Sequence, residues 1–430
     1  MRIRRRWHLM SLACALFAVA GGLSTAHADN APSGRYAAWS RGPSSEETFF
    51  PIAVWLQNPA KAARYKVAGI NTYIGLWKGP TESQLAQLRH VGMKVICAQN
   101  EVARQHLDDP TIIGWMHGDE PDNAQPLAEG GYGPPIPPER IVGDYHVIRK
   151  ADPTRPVLLN LGQGVAYDNW IGRGVRRNRP EDYPLYIEGC DIVSFDIYPV
   201  VHRNPEVAGK LWYVAKGVER LVSWSQGRKI VWNCIECTRI QHPTAKPTPR
   251  QVRAEVWMSL IHGSCGLIYF VHEWQPRFNE SALLDDVEML GAVTRINARI
   301  HALAPVLNAP TQSDAVTVVS SDPDVPIASL VKSYRGDVYS LRGRDAPRHD
   351  RGALLIAAGG QGGPRGGYRG GPRGAPGRRG IHGHLRRLAG AAVSGGHGRA
   401  LAISSAATPA MAPPSGNPAV LRYTVVIGGL

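Results

Sequence analysis

The feature that most constrains the fold is a regular alternation of short apolar runs with helix-like segments, which begins at Phe49. The runs are rich in Val, Ile, Tyr and Trp, and each run except the first follows a helix-like segment. Alternation of this kind is typical of βαβ units that build a parallel sheet. The eight predicted strands cover residues 49–56, 71–77, 94–99, 112–117, 157–161, 192–198, 229–235 and 266–272.

The alternating region spans about 260 residues, close to the size of a (β/α)8 barrel. An open doubly wound sheet shows the same alternation, but no Gly-x-Gly-x-x-Gly follows the early strands. We therefore predict an α/β fold with a (β/α)8 TIM barrel over residues 49–310. The clearest predicted helices cover residues 59–67, 82–91, 138–151, 211–225, 250–263 and 283–303.

Short strand-like runs without helices between them follow the barrel, at residues 315–320, 327–333 and 337–341. We predict that residues 311–341 begin a small, incomplete β-sandwich, and that residues 29–48 form an N-terminal lead-in. Residues 342–430 contain no Lys, Glu, Phe, Trp or Cys and are dominated by Gly, Arg, Ala and Pro. A low-complexity segment of this composition cannot bury a core. We expect this irregular tail to be disordered or to be translated from a shifted reading frame.

The N-terminus has the composition of a secretory signal peptide over residues 1–28. Arg2 and Arg4–Arg6 precede an apolar run at 9–20, and Ala26-His27-Ala28 fits a cleavage site. The apolar run is shorter than the roughly 20 residues of a membrane-spanning helix. These features predict a secreted or periplasmic protein that is not inserted in a membrane once the signal is removed.

The formal net charge of +14 is unevenly distributed. The signal carries four Arg and the tail 13 Arg against two Asp, which leaves residues 29–341 with a net charge of −1. The predicted barrel is therefore nearly neutral, and its charge does not indicate a nucleic-acid partner. Cys234 and Cys237 form a Cys-x-x-Cys without the helix of a redox motif, and we interpret them as small core residues.

Carboxylates stand at two strand ends, where the βα loops of a barrel converge on one mouth. The fourth strand ends in His117-Gly118-Asp119-Glu120-Pro121, and Glu236 comes directly after the uncharged part of the seventh strand, residues 231–235. A carboxylate in an apolar run is costly unless it serves a function. Two such groups can cleave a glycosidic bond with retention, with Glu120 as acid/base and Glu236 as nucleophile. We expect burial or a nearby charge to keep Glu120 protonated and hydrogen bonds to keep Glu236 ionised.

The Gly118-Asp119-Glu120-Pro121 segment resembles the Asn-Glu-Pro signature of the clan A glycoside hydrolases. Residues 50–55 and 70–73 are similar to the opening strands of barrels in that clan, and the resemblance covers residues 49–308. It implies an acid/base after the fourth strand and a nucleophile after the seventh. Asp119 stands where many members have an Asn that binds the sugar 2-hydroxyl, so the resemblance implies a substrate contact there.

Other strand ends carry residues that stack on sugar rings or hydrogen-bond hydroxyl groups. The predicted substrate-binding residues are Asp119, His117, Trp55, Trp77, Asn100, Tyr198, His272 and Trp274. Tyr198 either donates a hydrogen bond to Glu236 or is a packed strand-end tyrosine. The expected partner is an oligosaccharide, a polysaccharide or another glycoside, and the mechanism requires neither a metal nor a cofactor.

Two other functions and one other site remain open. A metal-dependent hydrolase would use His117 and Asp119 together with His202, His242 or His272. No His-Glu-x-x-His is present, and His382-Gly383-His384, a His-x-His, lies in the tail outside the predicted barrel. A decayed barrel would bind carbohydrate without turnover. If the strands are miscounted, Glu273 replaces Glu236 as the second carboxylate. Taken alone, Asp119 and Glu120 would also fit a solvated helix-capping loop.

Overall fold

The computed structural model describes residues 34–313 and, beyond them, segments 316–319, 327–335, 337–344, 355–358 and 424–427. The predicted signal peptide, the start of the lead-in and most of the predicted tail lie outside the described residues. One parallel sheet contains β1 (Ile52–Trp55), β2 (Thr72–Ile74), β3 (Lys94–Cys97), β4 (Ile112–Met116), β5 (Val157–Leu161), β6 (Ile192–Phe195), β7 (Ile230–Val231), β8 (Asn233–Glu236) and β9 (Leu267–Phe270).

The sheet closes into a barrel through its seventh strand, which is divided into β7 and β8 at Trp232. The strand order is β7-β6-β5-β4-β3-β2-β1-β9-β8, and all pairs are parallel. Ile230 and Val231 pair with β6, whereas residues 233–236 pair with β9. The predicted eight-stranded TIM barrel is therefore confirmed, with the correction that the seventh strand changes partner partway along its length.

Trp232 fills the point where the partner changes. Its backbone N–H donates to the Val193 carbonyl at 2.9 Å, and its indole N–H donates to the Tyr36 hydroxyl at 3.0 Å. The ring lies against Gly266, where an added Cβ would approach it to 2.6 Å. The absence of a side chain at Gly266 thus gives the indole its place in the inner core.

Helices surround the barrel: α1 (Ala62–Val67), α2 (Glu82–Val91), α3 (Glu101–Gln105), α4 (Pro138–Ala151), α5 (Tyr183–Glu188), α6 (Trp212–Ser225), α7 (Pro249–Ile261), α8 (Ala282–Asp285) and α9 (Val287–Asn308). Helix α2 has the predicted bounds, because Thr81 forms a capping box with Gln84 and Gly92 ends the helix at φ 65°. The predicted helix 283–303 is two helices, because the Asp286 side chain caps Met289 N at 3.1 Å and starts α9.

Side chains alternate between two apolar layers, as expected for a parallel sheet that is buried on both faces. The inner layer includes Ala53, Ile74, Ile96, Leu158 and Cys234. The outer layer lies between strands and helices and contains neighbouring strand residues such as Ile52, Val54 and Ile235. Cys234 and Cys237 are buried free thiols, which confirms their interpretation as core residues.

Antiparallel strands follow the barrel: β10 (Val316–Val319), β11 (Ile327–Tyr334), β12 (Asp337–Arg344), β13 (Leu355–Ala358) and β14 (Thr424–Ile427). β10 pairs with β13, and β12 pairs with both β11 and β14. The three predicted strands are confirmed, and β12 continues past the predicted boundary at Leu341. β11 and β12 contact α7 and α9. None of the helices in the described part of the chain is long and apolar enough to span a membrane.

Candidate active site

A cluster of carboxyl groups lies at the carboxyl ends of β4, β5 and β6. Glu120 follows β4, and its backbone N–H donates to the Asn160 carbonyl of β5 at 3.2 Å. Asp196 directly follows β6, and its N–H donates to the Leu161 carbonyl at 3.1 Å. Glu120 has φ 42°, a left-handed conformation that is uncommon for a residue with a side chain. Strained backbone of this kind occurs preferentially at functional sites.

The carboxyl groups of Glu120 and Asp196 are hydrogen-bonded to each other. Burial raises the pKa of Glu120 well above its usual range, and the charges of Asp196 and Asp119 raise it further. Burial also raises the pKa of Asp196, to about 7, although the hydrogen bonds from Glu120 and Tyr198 lower it. The pair therefore holds a proton on Glu120 at neutral pH, as the acid role predicted for Glu120 requires.

Asn160 connects the cluster to the floor of the barrel. Its Nδ2 donates to Asp119 Oδ1 at 2.9 Å, and its Oδ1 accepts from Ser194 Oγ at 2.7 Å. The Cys234 thiol lies 3.7 Å from the same oxygen, which brings β8 next to the cluster. Asp119 is exposed, yet desolvation of its carboxyl group raises its pKa to about 6 against the effect of the Asn160 hydrogen bond.

The loop after β5 is shaped to admit the Glu120 side chain. Asp122 is fully buried, and its carboxylate accepts from Gly162 N at 2.8 Å and from the Tyr183 hydroxyl at 2.9 Å. A Cβ added to Gly162 would lie 3.0 Å from Glu120 Oε1 and 2.8 Å from Asn123 Nδ2. Gly162 thus leaves room for the acid, and Asp122 fixes the loop that carries this glycine.

Glu236 lies at the end of β8 and has no solvent-exposed surface. Its carboxylate accepts from Val200 N at 2.6 Å and from Val201 N at 3.1 Å, and it is hydrogen-bonded to the Glu255 side chain of α7. Burial raises the pKa of Glu236 to about 7, although these backbone N–H groups lower it. Hydrogen bonds therefore favour its ionised form as expected, but burial outweighs them.

Glu255 is the unexpected partner of Glu236. It is fully buried in α7, and apart from the Glu236 contact neither of its oxygens has a hydrogen-bond partner among the described residues. Burial raises the pKa of Glu255 well above its usual range, and the Glu236 charge raises it further. The chain thus contains a second pair of touching carboxyl groups, located between β8 and α7.

The other predicted residues are divided between the site and the scaffold. The Tyr198 hydroxyl is hydrogen-bonded to Asp196, which differs from the predicted bond to Glu236. Trp55 is buried in the inner core. His117 is buried and bonded to the Gly189 carbonyl at 2.8 Å, and Asn100 caps α3 by accepting from Ala103 N at 2.9 Å. Trp55, His117 and Asn100 therefore pack against or bond to the scaffold, and none of these contacts belongs to the carboxyl cluster.

Trp77, His272 and Trp274 lie at the same mouth but at the ends of β2 and β9. They border a cavity of about 720 Å³, together with residues that follow β1. Trp77 and Trp274 are exposed, and His272 is buried beneath Trp274 with a ring-centre distance of 5.5 Å. The structure therefore brings these three predicted substrate-binding residues together at one cavity.

The candidate metal ligands and Glu273, the rival second carboxylate, are also placed by the structure. Among the residues that the structure describes, no group of three or more His, Cys, Asp or Glu side chains is arranged to hold a metal ion. His202 contacts Gln163 Oε1 at 2.6 Å, and His242 accepts from Ala245 N at 2.7 Å. Glu273 follows β9, the eighth strand, so the strand count that assigned Glu236 to the seventh is confirmed.

Sequence reasoning missed Asp196, Asn160 and Glu255. For Asp196 a signal was present, because it stands two residues before Tyr198 at the end of a strand and so shares its face. Asn160 interrupts the apolar run Val157–Leu161 and was detectable as a buried amide. Glu255 gave no comparable signal, since a single Glu in a helix is ordinarily exposed.

Comparison with known proteins leaves the chain without a family. No family model matches it, and no curated protein matches it. Solved structures that resemble it include β-galactosidases from Marinomonas ef1 and Rahnella sp. R3 and an endo-1,4-β-mannanase from Rhizomucor miehei. The identities are 12%, 13% and 12%, and the TM-scores are 0.40, 0.44 and 0.39.

These alignments cover 59%, 63% and 59% of the present chain and 60%, 58% and 95% of the respective structures. The chain thus spans about three-fifths of the length of either β-galactosidase. Other similar structures are β-glucuronidases, β-galacturonidases and a putative α-L-fucosidase. The names of all of these structural neighbours denote glycoside hydrolases. At such identities none of them assigns a role to a residue of the present chain.

Proposed function

We propose that this chain is an exported glycoside hydrolase that cleaves O-glycosidic bonds with retention of configuration. The observation that carries the proposal is the hydrogen-bonded pair of Glu120 and Asp196 at the barrel mouth. A carboxyl group that stays protonated at neutral pH at the mouth of a barrel is suited to protonate a leaving glycosidic oxygen. Glu120 is the proposed acid/base, and it becomes the base once the leaving group has departed.

Glu236 is the proposed nucleophile. Its position at the end of the seventh strand, next to the cluster through Cys234, supports this role. Attack on the anomeric carbon requires one carboxylate oxygen to leave the backbone N–H of Val200 or Val201. We therefore expect substrate binding to displace the segment after β6. The covalent intermediate would then be hydrolysed by water that Glu120 activates.

Asp119 and Asp196 complete the proposed site. Asp119 is held by Asn160 and is placed to accept a hydrogen bond from a sugar hydroxyl. Asp196 keeps Glu120 protonated in the free enzyme through its negative charge. The expected substrates are glycosides, oligosaccharides or polysaccharides, and the expected location is the periplasm or the exterior of the cell.

Hydrolysis of a panel of aryl glycosides tests the proposal, using the mature chain and its Glu120→Ala, Glu236→Ala and Asp196→Ala variants. We expect Glu236→Ala to abolish turnover and azide to restore the rate of Glu120→Ala with formation of a glycosyl azide. Glu139→Gln, a substitution of an exposed residue on α4, is the control and should leave the rate unchanged.

The outcomes separate the assignments. If azide rescues Asp196→Ala and activity survives in Glu236→Ala, Asp196 is the nucleophile and the proposed role of Glu236 is wrong. If activity requires a metal ion and is lost with a chelator, the chain is a metal-dependent hydrolase. Sugar binding without any turnover would indicate a decayed barrel.

A further inference from the structure

The cavity at the ends of β9, β1 and β2 is separate from the carboxyl cluster. It has a volume of about 720 Å³, and its walls include Gln57, Trp77, His272, Trp274, Phe278 and Glu280. All six follow the carboxyl end of a barrel strand, so the cavity opens on the same face as Glu120. A volume of this size lies within the range of ligand pockets and exceeds the need of one sugar ring.

The cavity lies across the barrel mouth from the proposed acid. β9, β1 and β2 are adjacent in the sheet, and β9 is the eighth strand, which faces the fourth strand in an eight-stranded barrel. A ridge of aromatic rings leads from the carboxyl cluster to the cavity. Tyr198 lies 5.2 Å from Phe270, and Phe270 lies 5.8 Å from Trp274, measured between ring centres.

The direction of this ridge defines which part of a substrate the cavity receives. Glu120 protonates the oxygen of the leaving group, so the leaving group lies on the side of β4. The sugar that the enzyme retains then extends away from β4, along the ridge and into the cavity. This step rests on the proposed function, because it depends on Glu120 acting as the acid.

The walls of the cavity favour stacking on sugar rings. Trp77 and Phe278 are 66% and 61% exposed, so both rings are accessible to a ligand in the cavity. Trp274 lies 5.9 Å from Phe278 and 5.5 Å from His272, so the three rings form one wall. Flat aromatic faces of this kind bind the apolar faces of carbohydrate rings.

The charge of the cavity selects against acidic sugars. Among the ten residues that line it, none is Lys or Arg, and Glu280 carries the formal charge. Burial lowers the pKa of His272 to about 4, so its ring is neutral at physiological pH. A uronic acid in the cavity would find no cation among the lining residues to pair with its carboxylate and would face Glu280.

We infer that this cavity binds the retained part of the substrate and that this part is an uncharged oligosaccharide of at least two rings. The chain is thus an enzyme that requires sugars on the retained side of the cleaved bond, rather than one that removes single terminal residues.

Kinetics with 4-nitrophenyl glycosides test the inference. Neutral mono- and disaccharides in the gluco, galacto, manno and xylo series are compared with a glucuronide and a galacturonide. We expect the best disaccharide to exceed its monosaccharide at least tenfold in kcat/KM, and the uronides to be the poorest substrates. Trp274→Ala should lower kcat/KM for the disaccharide at least tenfold. Trp212→Ala, which removes an exposed tryptophan that stacks on Tyr213 of α6, should not.

Binding separates this inference from the proposed function. Neutral oligosaccharides and oligogalacturonate are titrated into Glu120→Gln, with intrinsic tryptophan fluorescence as the readout. Neutral binding that is lost in Glu120→Gln/Trp274→Ala supports the cavity assignment even if the wild type hydrolyses nothing. Tighter binding of oligogalacturonate, or hydrolysis of monosaccharide glycosides as fast as disaccharide glycosides, overturns it while the glycosidase proposal stands.

Discussion

Two carboxyl groups in contact cannot both be ionised at low cost, and this constraint defines the chemistry of Glu120 at the scale of single residues. The Asp196 charge and burial act on Glu120 in the same direction, and both raise its pKa. The Tyr198 hydroxyl, in contrast, favours the ionised form of Asp196. The hydrogen bonds from Tyr198 to Asp196 and between Asp196 and Glu120 thus place the shared proton on Glu120.

Replacement of Asp196 by Asn is predicted to move the pH dependence of hydrolysis. Without the neighbouring charge, the pKa of Glu120 falls, and the acid loses its proton at a lower pH. We expect the alkaline limb of kcat/KM to shift down by about one to two pH units. The check is a pH profile of the variant beside Asp144→Asn, an exposed carboxylate on α4. An unchanged alkaline limb would contradict the proton-holding role of Asp196.

The sequence allowed residue-level prediction only in part. The placement of Glu120 and Glu236 at the carboxyl ends of two barrel strands was predictable, because each follows a strand-like run in the sequence. The contacts of Glu236 with Val200 and Glu255 were not predictable, because they depend on how the loop after β6 and α7 meet β8. Tyr198 was expected to donate a hydrogen bond to Glu236 or to be a packed strand-end residue, and its partner is instead Asp196, two residues before it.

At the scale of elements, α7 and β8 are joined by the Glu255–Glu236 pair. Burial and the Glu236 charge raise the pKa of Glu255, so the folded state binds a proton that the unfolded chain releases above about pH 4. The folded state holds more protons in that range, and its stability therefore falls as the pH rises.

Glu255→Gln is predicted to weaken this dependence. The amide keeps the shape and a hydrogen-bond donor for Glu236 but no longer titrates. We expect the free energy of unfolding of the wild type to fall between pH 5 and pH 8, and that of the variant to fall less. Urea denaturation at both pH values measures this difference. Parallel curves for the two proteins would exclude proton uptake by the pair.

Trp232 is the other critical point between elements, because it lies where the seventh strand changes partner. Trp232→Ala is predicted to lower the free energy of unfolding by roughly 3–5 kcal/mol, as expected for a buried aromatic side chain. Trp212→Ala, which removes a partly exposed indole, should cost much less. Equal losses in denaturant titrations of the two variants would show that the Trp232 contacts are not critical.

The break in the seventh strand was not predicted from the sequence, where residues 229–235 have the pattern of one uninterrupted strand. The division follows from barrel closure, because β7 and β8 must satisfy two different neighbours. Helices, in contrast, were predictable where caps are explicit, as at Thr81 and Gly92. The short helices α3 and α5 have too few turns to produce a clear pattern.

At the scale of the whole molecule, β11 and β12 cover part of α7 and α9. Val331 and Leu341 are buried there, and Lys332 donates to the Ala309 carbonyl at 2.9 Å. The composition after Leu341 differs sharply from that of the barrel, and this difference is the basis of the hypothesis of a shifted reading frame. Resequencing the gene tests that hypothesis, and an intact frame would refute it.

If the residues after Leu341 come from a shifted reading frame, the sandwich lacks its remaining strands and apolar barrel surface loses its cover. On that hypothesis the full-length chain is predicted to self-associate. Size-exclusion chromatography with light scattering should show aggregates or a low yield of monomer. A chain in which the frame is restored should yield more soluble protein. Monodisperse behaviour of the present chain at high concentration would count against the incomplete-domain interpretation.

Because the seventh strand changes partner at Trp232, β8 does not pair with β6, and the barrel wall lacks strand pairing between these two strands. There the Glu236 carboxylate, rather than a strand, receives the N–H groups of Val200 and Val201. The proposed nucleophile thus also joins β8 to the segment that follows β6. Each turnover would break the hydrogen bonds from Val200 N and Val201 N to the Glu236 carboxylate. The amide hydrogens of these two residues should therefore exchange with solvent faster during catalysis than in the free enzyme. In such a barrel, the proposed reaction and the closure of the sheet depend on the same side chain, that of Glu236.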